Sequence, residues 1–253
     1  MKIVVIGGTG LIGSKVVENL KQKGHEAIAA APNTGVNTLT GVGLAEALQG
    51  AAVVVDVSNS PSFENKAAMD FFQTAGQNII AAEIAAGVKH HVALSVVGTN
   101  DMQDSGYFRA KAAQERLIKS SPIPYTLIHA TQFFEFVRAI AQFSIKGDEV
   151  HLPPVQFQPI AAEDVATAVA EAAVAAPTNG TIEIAGPDRF TLDEPIRQTL
   201  AHDRDPRKVI ADPAASYFGI TVEETTLVPG AGARLGATKF DWWLNHVSPP
   251  ASR

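Results

Sequence analysis

Ile3-Val4-Val5-Ile6 is an unbroken apolar run that stops at Gly7-Gly8. A run of this kind, with no polar alternation, predicts a strand buried on both faces. Ile12, Val16 and Leu20 then recur at every fourth position, with Val17 alongside, and predict a helix that Gly24 ends. The same alternation continues. Ala27 to Ala31, Val53 to Val57, Val92 to Val97 and Tyr125 to His129 read as strands. Leu44 to Leu48, Ala67 to Ala86 and Tyr107 to Lys119 read as helices between them. Strands that are apolar throughout and alternate with helices imply a parallel sheet covered on both faces. Right-handed crossovers then make it doubly wound.

Beyond about residue 130 the pattern loosens. Pro153-Pro154 and Pro159 mark turns, Ala161 to Ala175 reads as a further helix, and Gly180 to Ile184 as a strand. The chain then runs through short elements to Phe240-Asp241-Trp242-Trp243-Leu244, whose two tryptophans are expected to anchor a last helix. The phenylalanines at 133, 134 and 136 are expected mainly in the core, and His90-His91 is expected to be solvated at the start of its strand.

The first turn carries chemistry. Gly7, Gly10 and Gly13 are spaced G-x-x-G-x-x-G between a strand and a helix. Gly7 permits the tight turn, Gly10 lets a pyrophosphate approach the backbone, and Gly13 lets the helix pack closely. The N–H groups at the start of that helix favour phosphate. A dinucleotide site is therefore expected over Gly7, Thr9, Gly10, Leu11, Ile12 and Gly13. An NAD site usually places a carboxylate after the second strand. Here Ala29-Ala30-Ala31-Pro32-Asn33-Thr34-Gly35 has none, and Asn33 and Thr34 can hydrogen-bond a 2′-phosphate. NADP is the expected cofactor, with NAD as the alternative. Ser58 follows the third strand, where the backbone lines the cofactor in folds of this kind, beside Asp56 and Asn59. The expected layout is a cofactor domain over 1–135 and a smaller substrate lobe over 136–253. About 161–185 returns to the first core.

Tyr107 and Lys111 are four residues apart and share one helix face. A nearby ammonium favours phenolate and lowers a tyrosine pKa from its reference of ~10. Such a phenol can exchange a proton with a carbonyl or alcohol oxygen. Ser95, at the end of the fourth strand, is the candidate to hold that oxygen. Lys111 also has the reach to hold the nicotinamide ribose.

Composition excludes other classes. The 253 residues are 46% hydrophobic and 18% charged, which supports a core and argues against disorder. A net charge of −6 without a basic run argues against nucleic acid. The absence of cysteine removes disulfides and thiolate metal sites, and the seven histidines show no ligand spacing, so no metal is expected. No apolar run reaches the ~18 residues of a membrane span, and no signal-peptide core is visible. A cytoplasmic protein with no membrane partner is expected.

These residues resemble the short-chain dehydrogenase/reductase superfamily. Gly7 to Gly13 looks like the loop of its extended and atypical branches. Ile123 to Phe134 and Pro159 to Ala166 are similar to its atypical NmrA-like, NAD(P)-binding group. The resemblance covers roughly residues 1 to 185. It implies a Rossmann fold and NAD(P)H-dependent reduction of a small carbonyl or a quinone. It also implies an alternative, a non-catalytic NADP-binding sensor; a weaker rival is an epimerase or dehydratase that uses NAD transiently, since the C-terminal lobe shows no sugar-nucleotide signature. Sensors of the group lack the tyrosine, whereas this chain keeps Tyr107 and Lys111. It departs from the group at His129-Ala130, where many relatives carry Arg-Pro, and in having no basic residue after the second strand.

Overall fold

The structure is a computed structural model that describes residues 1–247. In chain order the elements are β1 Lys2–Ile6, α1 Leu11–Gln22, β2 Glu26–Ala30, α2 Leu44–Leu48, β3 Val53–Asp56, α3 Asn65–Ala86 and β4 His90–Val96. Then come α4 Gly106–Ser120, β5 Tyr125–Ala130, α5 Val137–Phe143, β6 Ile145–Lys146, β7 Glu149–Leu152 and β8 Gln156–Phe157. The last are α6 Ala162–Val174, β9 Gly180–Ala185, β10 Phe190–Thr191, α7 Asp193–His202, β11 Lys208–Ala211, β12 Arg234–Leu235 and α8 Phe240–His246.

The main sheet has seven strands in the order β12-β9-β5-β4-β3-β1-β2. β1 runs parallel to both β2 and β3, and β3 parallel to β4, so the strand order reverses beside β1 as in a doubly wound sheet. The chain divides into two compact units. One comprises 1–95, 106–129 and 165–182; the other comprises, among the described residues, 96–105, 130–164 and 183–247.

The first unit follows directly from its apolar runs. Val4, Ile6 and Val54 of the sheet pack with Leu44 and Leu48 of α2 and Ile79 of α3 in one buried cluster. Each such side chain contributes about 1.5–3 kcal/mol of burial. Helix α3 starts where Glu64 accepts the Ala67 N–H and stops at Gly87, whose φ of 72° is a left-handed cap. His90 and His91 correct the solvated expectation, because both are buried. His90 Nε2 lies 2.9 Å from Thr126 Oγ1, and His91 Nδ1 lies 2.6 Å from Glu83 Oε1. Burial lowers the His90 pKa to about 4, while the Glu83 carboxylate overcomes burial and raises that of His91.

The second unit holds a three-stranded sheet, β11-β7-β6, and the β10-β8 pair. Phe134 packs against Phe240 at 5.0 Å and Trp243 at 5.5 Å, so α8 is anchored by Phe240 and Trp243. Trp242 corrects the paired expectation: it is 54% exposed and stacks on His246 instead. Phe136 is exposed and stacks on Phe133. No helix of the described residues is long and apolar enough to cross a membrane.

Candidate active site

The glycine loop is fixed by close contacts. Gly7 has a φ of 78°, and a Cβ there would lie 2.9 Å from Ser58 N and Cα. A Cβ on Gly13 would lie 2.1 Å from the Gly7 carbonyl oxygen, so α1 packs hard under the turn. Gly8 is equally constrained: its Cβ would lie 2.6 Å from Ala29 Cα. The G-x-x-G-x-x-G spacing does not single out Gly8, although the doubled glycine was visible. Gly10 differs. Its Cβ would meet only the Gly7 carbonyl oxygen, at 3.3 Å, a tight contact but far less crowded than those at Gly7, Gly8 and Gly13. Helix α1 has no side-chain cap and no acidic residue in its first turn. Its leading N–H groups, at Leu11, Ile12 and Gly13, have no partner within the helix.

The segment after β2 has no carboxylate. Thr9 Oγ1 donates to Asn33 Oδ1 at 3.1 Å, tying the glycine loop to the exposed Asn33. The Thr34 hydroxyl is used by its own turn, accepting from Ala31 N at 2.9 Å and lying 3.0 Å from the Ala29 carbonyl.

Helix α4 turns an unusually polar face to the sheet. The Lys111 ammonium is buried, donates to the Leu94 carbonyl at 2.9 Å and to Gln114 Oε1 at 2.5 Å, and lies 4.7 Å from the Phe72 ring centroid. Gln114 Nε2 donates to Asp56 Oδ2 at 2.8 Å. Asp56 Oδ1 accepts from Ser58 N at 3.0 Å and Ser58 Oγ at 2.6 Å. This chain of bonds runs from Lys111 to the turn that touches Gly7. Burial pulls the Lys111 pKa down to about 8, against the opposing charges of Asp56 and Glu115.

Tyr107 is half-buried, among Phe63, Phe72 and Phe108, with ring centroids at 5.2, 6.0 and 5.4 Å. Its hydroxyl donates to Asn59 Oδ1 at 3.0 Å. Burial pushes the phenol up to about 12, and the Asn59 hydrogen bond only partly offsets it. A phenol lowered by Lys111 was expected from the four-residue spacing. The structure corrects this, because the ammonium is turned toward Leu94 and Gln114.

Ser95 is buried, and its hydroxyl donates to Glu115 Oε1 at 2.6 Å. Glu115 also has His129 Nε2 at 2.8 Å and Lys119 Nζ at 3.1 Å. Against burial, His129, Ser95 and Lys119 hold its carboxyl down to about 2. The structure therefore joins Tyr107 to Asn59, Lys111 to Asp56 and Ser58, and Ser95 to Glu115. Gln114, Glu115 and His129 escaped the sequence reading. The available signal was polar residues at 111, 114 and 115 on a helix whose other inward positions are alanine and isoleucine.

The NAD(P)H-binding family model matches residues 7–176. No curated protein matches the chain. Among solved structures, it is similar to a dTDP-4-dehydrorhamnose reductase from Clostridium acetobutylicum, at 16% identity over 98% of each chain, with a TM-score of 0.73. It is also similar to a short-chain dehydrogenase/reductase superfamily protein from Agrobacterium tumefaciens with bound NAD. That match has 15% identity over 97% of this chain and 95% of the other, and a TM-score of 0.73. An NADPH-dependent quinone oxidoreductase from Escherichia coli, complexed with NADPH, matches at 20% identity over 97% and 99%, with a TM-score of 0.68. The chain thus shares the Rossmann-like α/β fold of these structures. The chain belongs to the NAD(P)H-binding family.

Proposed function

We propose that the protein is an NADPH-dependent reductase of small carbonyl compounds, with Tyr107 as the proton donor. The observation that carries this reading is the Tyr107 hydroxyl, protonated at neutral pH and hydrogen-bonded to an exposed amide one helical turn before Lys111. A phenol near 12 is a poor base for oxidising an alcohol. It still gives its proton readily to the far more basic oxygen formed as a carbonyl is reduced, so the reading favours reduction.

The nicotinamide cofactor supplies the hydride. Gly10 and the leading N–H groups of α1 would hold its pyrophosphate, and Asn33 would face its ribose end. Lys111, an ammonium with three donors, has spent two on Leu94 and Gln114 and offers the third to the nicotinamide ribose. NADPH is preferred because no carboxylate follows β2 to repel a 2′-phosphate. The first unit binds the cofactor in this reading. The second selects substrate, and it contains a cavity of about 330 Å³ lined by Gly98, Asp101, Glu183, Arg189 and Thr225 among others.

The quinone oxidoreductase among the similar structures supports quinones as a second substrate class. The test is NADPH oxidation across a panel of aldehydes, ketones and benzoquinones. Aldehyde and ketone turnover that is lost in Tyr107→Phe is the expected result.

A further inference from the structure

Carbonyl reduction by a tyrosine needs a second donor on the oxygen, because negative charge builds there before the proton has fully arrived. Ser95 holds its hydroxyl against Glu115 in the core. The group beside the phenol is Asn59. Its Oδ1 accepts from Tyr107 Oη and from Ser60 N, each at 3.0 Å. Its Nδ2 sits on the same amide, belongs to an exposed residue, and carries no hydrogen bond to a described residue. The turn bearing it is fastened from below, since the buried Asp56 holds both the N–H and the hydroxyl of Ser58. The 66%-exposed Phe63 ring covers one side of the phenol. An exposed amide donor and a protonated phenol thus stand side by side on a rigid support.

We propose that Asn59 is a catalytic residue that holds the substrate carbonyl oxygen together with Tyr107, the task the sequence reading gave to Ser95. This rests on the reductase reading above. The substrate oxygen displaces Asn59 Oδ1 as acceptor of the phenol hydrogen, and the amide turns about Cβ–Cγ to present Nδ2–H. Hydride adds to the carbonyl carbon with its electron pair, and the C=O π pair moves to oxygen. The Tyr107 O–H bond breaks and its proton joins that oxygen. The alcohol leaves, the reduced nicotinamide has become oxidised nicotinamide, and the phenolate takes a proton from solvent. The Nδ2–H proton stays on nitrogen throughout.

Three variants test this with the most rapidly reduced aldehyde or ketone of the panel: Asn59→Leu, Asn59→Asp and Tyr107→Phe. Asn59→Leu removes the donor and is expected to lower kcat about 10²-fold. KM should move little, and NADPH affinity and melting temperature should be unchanged. Asn59→Asp separates catalysis from mere support of the phenol. A carboxylate still accepts the Tyr107 hydrogen but repels a developing oxyanion, so its loss should at least equal that of Asn59→Leu. Wild-type turnover in either Asn59 variant while Tyr107→Phe is impaired overturns the assignment of Asn59 and leaves the reductase reading intact. A wild type that reduces nothing, or a Tyr107→Phe variant without effect, overturns the reductase reading itself and the assignment with it.

Discussion

The Lys111 ammonium donates to the Leu94 carbonyl at 2.9 Å, so the lysine is fastened to β4 rather than to the phenol one turn before it. Its second bond, to Gln114, leads to the buried carboxylate of Asp56. The charges facing it are those of Asp56 from β3 and Glu115 from α4, and both favour the ammonium. Asp56→Asn should therefore lower the Lys111 titration midpoint from about 8, by about one pH unit. Lysine-labelled protein followed by NMR, with Lys111→Arg for assignment, reads this directly. An unmoved midpoint would show that Asp56 does not act on Lys111.

The glycines of the loop should separate by role. Gly13→Ala drives a Cβ to 2.1 Å from the Gly7 carbonyl and should cost stability, on the order of 1–3 kcal/mol, as well as cofactor affinity. Gly10→Val meets only the Gly7 carbonyl oxygen, at 3.3 Å, but fills the space a pyrophosphate needs. It should lose less melting temperature than Gly13→Ala and lose NADPH and NADH binding together. Thermal melts beside fluorescence titrations check both, and undiminished affinity in Gly10→Val would place the cofactor elsewhere.

Cofactor choice is tested by titrating both nucleotides. NADPH should bind at least about tenfold tighter than NADH, roughly the scale of one charge-assisted hydrogen bond. Asn33→Asp should reduce or invert that ratio by setting a carboxylate against the 2′-phosphate. NADH binding tighter to the wild type would contradict the reading.

Much of this arrangement was legible in the sequence, and the boundary of legibility has a physical cause. The apolar strands β1 to β5 and their helices were readable to within two residues, because each buries an uninterrupted run. Strands β6, β7, β8 and β10 were not, since each has only two to four residues and prolines break the pattern around them. Within the candidate site, Tyr107 and Lys111 could be put on one face, but the direction of the ammonium could not. That direction is set by Leu94, 17 residues away, and by Asp56, 58 residues from Gln114. His90 and His91 were misread for the same reason: Thr126, 36 residues on, and Glu83 on a different element satisfy them inside the core.

Acid should destabilise the fold partly through Glu115. Its carboxyl is held from its ordinary value of 4.5 down to about 2, so its contribution is fully present above 4.5 and is lost as pH falls through 2. Glu115→Gln should be less stable at pH 7 and show a flatter decline between pH 4.5 and 2. Urea denaturation across that range checks it, and parallel curves for the two proteins would remove Glu115 as a cause.

The central claim is that Tyr107 gives the proton during carbonyl reduction. The most direct measurement compares wild type and Tyr107→Phe by NADPH oxidation with two substrates, a simple aldehyde and a benzoquinone, and determines NADPH affinity for both proteins. The account predicts a fall of ~10²-fold or more in aldehyde turnover with cofactor affinity nearly unchanged. A quinone takes its proton from water more readily, so its reduction should fall less. Equal aldehyde turnover in the two proteins would contradict the account. So would a wild type that binds NADPH tightly and oxidises it with no substrate, which would mark a cofactor sensor instead.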